Sequence, residues 1–535
     1  MTEEEKNEST KKGISRRQFI GAVAGTAVAG VAVGIAGGYL AAPTTPSNQV
    51  ISIPSKWDQQ TDVVVVGGGI AGLSAAIEAA NAGASVTLLE KAADVGGTTK
   101  TSGGLIYAAN TSVQQKNGIT DTAAAMIAHY THAARGMADP NQIAIAANKS
   151  ADNITFMLNQ GAVIGKPTVS GAEVCEDQPP IPRVHPVSTS DGKLSGGAAV
   201  IAVLKAGALK AGVNLLTSTS AQHLIARGGK EVLGVQALSG GNTINIKASK
   251  GVILAAGGFQ GSKDMQVRFS GKAFETLPLG PPGMTGDGHL MGLAIGADTV
   301  AMSEILGVPG IMLPGATSAT FIYPPEFIPA PVIMVNSQGM RFVDETVYYE
   351  HRNQELLRQE TYTIVGPVTV YTLFDQSVVN SLGGGSIVPG FSKDLATEVA
   401  NGTVLQSSSI SGLAAVIGVN ADNLAATIAK WNSYAQGGKD LDFGRTVGMG
   451  QIQTPPFYAI PTRSTMFDTK GGLKINGNAQ VLDTNGDIIP RLYAAGTNSG
   501  GVLGEYYPGS GSSLNQGLTF GRIAGTYVAS QSAWS

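Results

Sequence analysis

Cysteine is almost absent from this chain of 535 residues, which contains only Cys175. A single thiol excludes an intrachain disulfide, a CxxCH haem attachment and a four-cysteine iron–sulfur cluster. Charge is also scarce: 14% of the residues are charged and the net charge is −3, which gives no reason to expect nucleic acid as a partner. The six histidines show no HExxH spacing, so we predict no metal site. With 43% hydrophobic residues, the chain is long enough for two domains with sizeable cores.

The N-terminus has the pattern of a targeting segment. Ser15-Arg16-Arg17-Gln18-Phe19-Ile20 matches the twin-arginine export motif. A Gly-, Ala- and Val-rich stretch from Gly21 to Leu40 follows, long enough to span a bilayer but only mildly hydrophobic. We therefore predict export to a periplasmic or cell-surface location, with residues 1–55 as signal and linker. Cleavage near Ala42 and retention of residues 20–41 as a membrane anchor are both open.

A strand–turn–helix–strand pattern follows this segment. Asp62–Val66 is a short β-branched run, which predicts a buried parallel strand. The next six residues, Gly67-Gly68-Gly69-Ile70-Ala71-Gly72, fit G-x-G-x-x-G. Leu73–Gly83 is Ala-rich and predicts an amphipathic helix, and Ser85–Leu89 predicts a second strand that ends at Glu90.

Each part of this pattern has a role in binding a dinucleotide. Gly67 permits a tight turn, Gly69 lets the backbone approach a pyrophosphate, and Gly72 allows close helix–strand packing. The helix N-terminus, which includes Ala71, offers N–H groups and a positive dipole end to phosphate. Glu90 lies about 20 residues further on, where a carboxylate accepts hydrogen bonds from a ribose. The segment therefore predicts dinucleotide binding.

The segment after Glu90 indicates which dinucleotide. Lys91 is followed by Gly96-Gly97-Thr98-Thr99 and by Ser102-Gly103-Gly104. Glycine pairs permit backbone contact with a planar ring, and hydroxyl groups supply hydrogen bonds. The run resembles the flavoprotein group that contains soluble fumarate reductases and 3-ketosteroid dehydrogenases. In that group this loop surrounds the cofactor, so the resemblance implies FAD.

Three more motifs extend the resemblance from residue 60 to residue 530. They are Val252–Phe259, the run Thr285-Gly286-Asp287-Gly288, and the closing element in which Arg491–Gly496 is followed by a helix opening at Ser512-Ser513-Leu514. From these segments and the short strands before them, the residues expected to contact FAD are Ala221, Asp287, Gly496, Ser513 and Leu514.

The predicted fold is α/β, with a Rossmann-like FAD-binding domain and an inserted α+β capping domain. The FAD-binding domain is assigned to residues 56–300 and 468–535, and the capping domain to residues 301–467, where the pattern departs from nucleotide binding. Residues 121–160 predict helices, and a surface or capping role is expected for His129 and His132. Four short alternating runs between residues 213 and 248 resemble the β-meander of this group.

The predicted active site departs from the fumarate reductases. The run from Val335 to Glu345 matches the family, but Tyr349 occupies the position of the proton-delivering arginine. Pro508 lies near the position of a second substrate-binding arginine, and Phe467-Asp468 replaces a histidine pair. Because a dicarboxylate needs fixed cations, fumarate is not the expected substrate.

The same positions resemble the 3-ketosteroid dehydrogenases. That resemblance implies that Tyr349 transfers a proton, while Tyr507 and the Gly511 N–H bind the substrate's ketone. The chemistry is reasonable, because donors to a carbonyl acidify the neighbouring C–H bond. Tyr130 and Glu505 are weaker candidates for a role in the site.

We therefore predict an exported FAD enzyme that moves hydride between flavin N5 and a carbon–carbon bond conjugated to the carbonyl of a small, neutral, ketosteroid-like enone. With no haem, it needs a separate electron-transfer partner, such as a membrane cytochrome or quinone. One alternative is a reductase of unsaturated carboxylic acids with a different anion clamp, for which the cations are Arg183, His185, Arg341, Arg352 and Arg463. A second is a flavin electron-transfer protein without a substrate of its own.

Overall fold

A computed structural model describes residues 49–169, 180–270, 276–322, 329–361 and 370–534. Cys175, the twin-arginine motif and the apolar segment at residues 20–41 lie outside these residues. The described residues belong to one compact unit. In the part of the chain that is described, the search for membrane-spanning helices finds no candidate of sufficient length and hydropathy.

Sixteen α-helices lie in the described segments, besides a π-helix at Gln266–Ser270 and a 3-10 helix at Gly496–Asn498. They are α1 Ile70–Asn81, α2 Gly97–Thr101, α3 Ser112–Lys116, α4 Ala123–Ala134, α5 Pro140–Asn148, α6 Ser150–Asn159, α7 Gly196–Lys210, α8 Lys263–Met265, α9 Asp287–Ala294, α10 Tyr349–Thr361, α11 Gln376–Leu382, α12 Gly384–Ile387, α13 Ala396–Ala400, α14 Ile410–Ile417, α15 Ala421–Gly437 and α16 Ser512–Ala529.

The same segments contain 22 strands. They are β1 Gln59–Val66, β2 Val86–Leu89, β3 Leu105–Tyr107, β4 Ala162–Ile164, β5 Val184–Thr189, β6 Asn214–Leu216, β7 Thr219–Arg227, β8 Glu231–Ser239, β9 Asn242–Leu254, β10 Leu277–Pro278, β11 Thr299–Val300, β12 Ile305–Leu306, β13 Pro309–Ile311, β14 Thr320–Phe321, β15 Ile333–Val335, β16 Val370–Asp375, β17 Leu405–Ser407, β18 Phe457–Met466, β19 Asp468–Thr469, β20 Gly472–Leu473, β21 Gln480–Leu482 and β22 Ile488–Ala494.

The first sheet has eight strands and a parallel centre. Its order is β21-β22-β9-β1-β2-β6, with β7 and β8 joined to one side of β9. Val63, Val64 and Val65 of β1 are completely buried, as expected for a strand that lies between two neighbours and is covered on both faces. The predicted β1–α1–β2 order is confirmed, and the carboxyl ends of the parallel strands form one edge, where ligands bind in such sheets.

The predicted meander differs in two respects. Residues 213–217 were assigned to it, but β6 pairs parallel with β2 and extends the central sheet. The predicted strand at 243–248 is part of a longer strand, β9, which continues to Leu254. Residues 242–247 of β9 pair antiparallel with β8, and residues 246–254 pair parallel with β1. The meander is therefore an extension of the central sheet.

A second sheet of seven strands is built around β18. Its order is β14-β13-β18-β16-β15, and β10 and β17 also pair with β18. Apart from β10, these strands fall within residues 301–467, the segment predicted to form the cap. Helices α14 and α15 cover it with a separate apolar cluster centred on Trp431, which is 1% exposed.

The first and last helices of the nucleotide-binding part lie against each other. Along α16, a Cβ atom placed on Gly521 would lie 2.4 Å from the Ala71 carbonyl oxygen. A Cβ on Gly525 would lie 2.2 Å from that of Ala75. Glycine at both positions therefore lets the two helix backbones approach each other closely.

Candidate active site

One cavity, of about 970 Å³, lies at the carboxyl edge of the first sheet. This volume is at the upper end of the usual range for ligand sites. Fifteen of the sixteen residues predicted to contact FAD line the cavity: Gly67, Gly69, Ala71, Glu90, Lys91, Gly97, Thr98, Thr99, Gly103, Gly104, Ala221, Asp287, Gly496, Ser513 and Leu514. Tyr349, Tyr507 and Gly511 line the same cavity. Segments far apart in the sequence thus meet around one cavity.

The turn before α1 has the geometry of a pyrophosphate cradle. Gly67 has a φ of +105°, and a Cβ there would lie 2.3 Å from the Ala255 carbonyl oxygen. Gly72, which does not line the cavity, instead packs on this turn, since its Cβ would lie 1.9 Å from the Gly67 oxygen. The helix begins after Gly69 without a side-chain cap. The Ile70 N–H donates to the Thr99 hydroxyl at 3.3 Å, and the next N–H groups of the helix are available to an anion.

Glu90 is buried and held by two backbone groups. Its Oε2 accepts a hydrogen bond from the Gly68 N–H at 2.9 Å, and its Oε1 accepts one from the Ala92 N–H at 2.8 Å. Each carboxylate oxygen keeps further acceptor capacity. A carboxylate fixed in this way at the cavity wall can accept hydrogen bonds from ribose hydroxyl groups.

Lys91 is fixed by polar partners on the opposite side of the turn. Its Nζ lies 2.8 Å from the Thr285 hydroxyl and 2.8 Å from Asp287 Oδ2. Asp287 stands in the first turn of α9. The ion pair therefore joins two motifs that are separated in the sequence by nearly two hundred residues.

Tyr507 lies directly before the N-terminus of α16. Its hydroxyl oxygen accepts a hydrogen bond from the Ser513 N–H at 2.9 Å, which leaves the phenolic proton to be donated elsewhere. Burial raises the Tyr507 pKa to about 12, so the phenol keeps this proton. Gly511 is the N-cap residue of α16, with a φ of +102°. The structure therefore presents the Tyr507 O–H and the start of a helix at one wall.

His129 holds the loop that carries Tyr507. Its Nε2 lies 2.6 Å from the Pro508 carbonyl oxygen, and since a carbonyl only accepts, Nε2 carries the hydrogen. His129 is 7% exposed, and burial lowers its pKa. The expected surface or capping role is therefore wrong for His129.

Tyr349 is the first residue of α10 and enters the cavity from the capping side. Its ring centroid lies 4.0 Å from that of Tyr348 and 6.3 Å from that of Phe321. The neighbouring residue, Glu350, accepts a hydrogen bond from the Tyr507 N–H at 2.7 Å through Oε2. The two predicted catalytic tyrosines are therefore connected through one carboxylate.

Glu350 also forms an ion pair with Lys470, and both side chains are completely closed to solvent. Lys470 Nζ lies 2.7 Å from Glu350 Oε1 and donates a second hydrogen bond, at 2.5 Å, to the Glu505 carbonyl oxygen. Burial raises the Glu350 pKa, and Lys470 opposes this effect. Sequence reasoning missed this pair, because no local pattern connects the two residues.

Asp468 is a second residue of the cavity that has an unusual environment. It was noted only as a departure from the family pattern. The side chain is 6% exposed, and burial raises its pKa to about 7, against smaller opposing contributions from the Thr469 N–H and Ser513. Burial therefore favours the protonated form of this acid.

The remaining wall on the capping side is apolar. It is formed by Leu279, Leu306, Val308, Ala319 and Phe321, with the Ser318 hydroxyl group among them. Among the described lining residues, Lys91 is the one cation.

The five cations considered for an anion clamp are absent from the described cavity lining. Arg183 forms a buried bidentate pair with Asp121. Arg341 binds Glu345 and Asp440. His185 forms a hydrogen bond with Thr111, and Arg352 donates one to the Glu345 carbonyl oxygen. Arg463 lies on β18. Tyr130 and Glu505 do not line the cavity either.

Metal-binding clusters are not found among the described residues. The site instead fits a dinucleotide with a planar ring, because it combines two helix N-termini that face the cavity with the glycine turn and Glu90.

The chain is similar to curated enzymes over most of its length. It is 30% identical to a digoxin reductase of Eggerthella lenta, covering 98% of each chain. It is 30% identical to a urocanate reductase of the same organism, covering 89% of this chain and 76% of the relative. Other relatives include 3-oxosteroid 1-dehydrogenases and cytochrome-type fumarate reductases. These are flavoenzymes that act on carbon–carbon bonds.

The fold matches a solved structure. The 3-ketosteroid Δ1-dehydrogenase of Sterolibacterium denitrificans, in complex with 1,4-androstadiene-3,17-dione, has a TM-score of 0.81. The match covers 88% of this chain and 100% of that one, at 24% identity. The family described as FAD binding domain matches residues 62–514. The chain therefore belongs to the FAD binding domain family and is an FAD-dependent oxidoreductase that acts on carbon–carbon double bonds.

Proposed function

We propose that the substrate is a neutral enone, steroid-like in shape, whose carbon–carbon bond is conjugated to a carbonyl group. The observation that carries this proposal is the composition of the cavity: Tyr349 and Tyr507 face a largely apolar capping wall, and no arginine is among the described lining residues. A dicarboxylate would need cations at this wall, preferably bidentate arginines. A neutral ketone needs only hydrogen-bond donors.

Tyr507 and the Gly511 N–H are the proposed donors to the carbonyl oxygen. The Tyr507 hydroxyl already accepts from the Ser513 N–H, so its own hydrogen points to another acceptor. As negative charge develops on the carbonyl oxygen, these fixed donors stabilise it more than they stabilise the ground state.

Tyr349 is the proposed proton-transfer residue. It lines the cavity from α10, and Glu350 holds the start of that helix against the Tyr507 loop. When bound, FAD supplies a hydride acceptor or donor at N5. Tyr349 takes the proton from the carbon next to the activated carbonyl or returns it, and the apolar wall excludes water from that position.

The proposal includes a location and an electron source. We propose that the segment around Arg16 and Arg17 directs export by the twin-arginine route, and that the protein works outside the cytoplasm. An exported flavoprotein without haem must exchange electrons with a separate partner, such as a membrane cytochrome or a quinone. This arrangement suits a reductase that uses the enone as a terminal acceptor.

Two alternatives are less consistent with the cavity. A reductase of unsaturated carboxylic acids would need its clamp at the wall, where Asp468 stands instead. An electron-transfer protein without a substrate would not need the cavity to extend past the nucleotide-binding residues to Leu306, Phe321 and Tyr349.

An anaerobic substrate screen tests the proposal. The FAD-loaded protein is reduced, and reoxidation is followed by flavin absorbance with 1,4-androstadiene-3,17-dione, urocanate or fumarate. We expect the dienone to reoxidise the flavin and the two carboxylates to leave it reduced. Faster reoxidation by either carboxylate would contradict the proposal.

Export is tested separately. Arg16→Lys with Arg17→Lys keeps the charge and should leave the flavoprotein in the cytoplasm. Normal export of this double variant would exclude the twin-arginine route.

A further inference from the structure

Asp468 stands in the cavity wall beside the proposed carbonyl-binding group. It is the first residue of β19 and follows Phe467, which lines the same wall. One carboxyl oxygen, Oδ1, accepts a hydrogen bond from the Thr469 N–H at 3.0 Å. The carboxyl group can therefore form further hydrogen bonds outside its own strand.

Ser513 connects this acid to Tyr507. The Ser513 N–H donates to the Tyr507 hydroxyl oxygen at 2.9 Å. The Ser513 hydroxyl group is buried next to the Asp468 carboxyl group, but no well-aligned hydrogen-bond partner is found for it among the described residues. Asp468 also acts electrostatically on Tyr507, raising the pKa of that phenol. The three side chains thus form one polar patch in a largely apolar wall.

We infer that Asp468 is a further catalytic residue, whose carboxylic acid group donates a hydrogen bond to the same substrate oxygen that Tyr507 binds. The inference rests on the proposed function for the identity of that oxygen. A carboxylic acid that an apolar site keeps neutral can stabilise an enolate oxygen alongside a tyrosine. In its ionised form, the same group would repel that oxygen.

The charged groups nearest to Asp468 along the chain and on the partner strand have other partners, so Asp468 can donate a hydrogen bond to a substrate. Lys470, two residues along the chain, is bound to Glu350. Glu304, next to the partner strand β12, accepts a hydrogen bond from the Ser303 hydroxyl. No cation is among the groups that act on Asp468, and burial therefore raises its pKa without a counter-charge.

The inference also bears on substrate choice. A substrate carboxylate near this wall would face an acid rather than an arginine. A ketone or an enolate, in contrast, gains a donor when Asp468 is protonated. When Asp468 is ionised, the polar patch of Asp468, Ser513 and Tyr507 repels a substrate carboxylate but not a neutral ketone.

Two substitutions separate donation from simple packing. Asp468→Asn keeps a donor of nearly the same shape but does not titrate. Asp468→Leu keeps the volume and removes the donor. Asp298→Asn, at a partly exposed position outside the cavity lining and paired with Lys474, is the matched control for loss of a carboxylate. FAD content is measured in each variant to show that the fold and the cofactor site are intact.

The probe is 3,4-dinitrophenol, whose phenolate resembles an enolate and which is ionised across the pH range used. Its binding to the oxidised, FAD-loaded protein is measured by absorbance between pH 6 and pH 9. In the unchanged protein and in Asp298→Asn, affinity should fall by about tenfold for each pH unit above about 7, because Asp468 loses its proton. The Asp468→Asn affinity should be independent of pH, and that of Asp468→Leu should be low throughout.

Several results would overturn the inference: no binding of the phenolate, a flat profile in the unchanged protein, or the same pH dependence in Asp468→Asn. Turnover of 1,4-androstadiene-3,17-dione is a second, separate measurement. If the dienone is not reduced but the phenolate profiles are as expected, the proposed substrate is wrong and the role of Asp468 stands. If the dienone is reduced with equal rates in all Asp468 variants, the role of Asp468 is wrong and the proposed function stands.

Discussion

Glu350 and Lys470 form an ion pair that joins the two sides of the active site, with Lys470 Nζ 2.7 Å from Glu350 Oε1. Glu350 follows Tyr349 at the start of α10, and its second oxygen binds the Tyr507 N–H. Lys470 binds the backbone two residues before Tyr507, at the Glu505 carbonyl oxygen. The pair therefore fixes the distance between a residue proposed to move a proton and one proposed to bind the carbonyl.

Breaking this pair on one side should destabilise the protein strongly. Glu350→Gln or Lys470→Met leaves a buried charge without its partner, which costs about 3–5 kcal/mol. The double variant Glu350→Leu with Lys470→Met should recover most of this loss, because no charge remains buried. Its kcat should nevertheless stay low, since the connection to the Tyr507 N–H is gone. Urea unfolding and steady-state kinetics measure the two effects.

The exposed pair between Asp298 and Lys474 is the control for this cycle. Its side chains are 32% and 47% exposed, so removing either partner should cost less than about 1 kcal/mol. If the double variant of the buried pair had both normal stability and normal kcat, Glu350 would have no positioning role.

The two tyrosines can be tested by removal of single oxygen atoms. Tyr349→Phe should retain the fold and the flavin but lower turnover by about 10²–10⁴, the usual contribution of a positioned acid or base. Tyr507→Phe should lower it by about 10²–10³ through loss of a carbonyl donor. Tyr371→Phe, which removes a hydroxyl bound to the Ile417 carbonyl in the cap, should leave the rate unchanged. Near-normal rates in both active-site variants would exclude the proposed mechanism.

Glu90 should determine much of the cofactor affinity. Glu90→Ala leaves the Gly68 and Ala92 N–H groups and the ribose hydroxyl groups without an acceptor, so FAD binding should weaken by about 1–3 kcal/mol. Glu78→Ala removes a carboxylate that pairs with Arg522 away from the cavity and should leave the affinity unchanged. Titration of the apoprotein with FAD, followed by flavin fluorescence, measures both. Equal affinities would show that Glu90 is not a ribose ligand.

Asp468 should also impose a pH dependence on stability. Its pKa is about 7 in the folded protein, against an ordinary value of 3.8, so the folded state holds the proton more tightly. Stability is therefore lost as pH rises from about 4 to about 7, by a total of about 4 kcal/mol, and then remains constant. Asp468→Asn does not titrate. Its free energy of unfolding, relative to that of the unchanged protein, should therefore increase by this amount over the same pH range. Urea unfolding at pH 4, 6 and 8 measures it, and a pH-independent difference would contradict the buried acid.

The nucleotide-binding part of the fold could be predicted because its determinants are contiguous. The β-branched run, the glycine turn and the Ala-rich segment each specify their own local structure, and β1, α1 and β2 lie where the sequence indicates. The boundaries were less accurate: α1 begins at Ile70, three residues before the predicted start, because the glycine turn ends at Gly69. The last strand of the meander was predicted too short, since β9 continues past Ala248 through Lys250 and Gly251 to Leu254.

The site could be predicted only in part, because its electrostatics depend on residues that are distant in the sequence. Tyr349 and Tyr507 were found through motifs and do line one cavity. The partner of Lys470 could not be found, since Glu350 lies 120 positions earlier and burial of both is a property of the packed cap. Likewise, Asp468 is identifiable as a changed residue, but its raised pKa follows from a wall assembled by three separate segments.

The close packing of α16 on α1 has a consequence for biosynthesis. Its N-terminal residues Ser513 and Leu514 form part of the cofactor pocket, and its glycines rest on the backbone of the first helix. A ribosome delivers α1 long before α16, so the cofactor pocket stays incomplete until the residues from 512 onward have been made. A nascent chain stalled before residue 512 should therefore hold no tightly bound flavin.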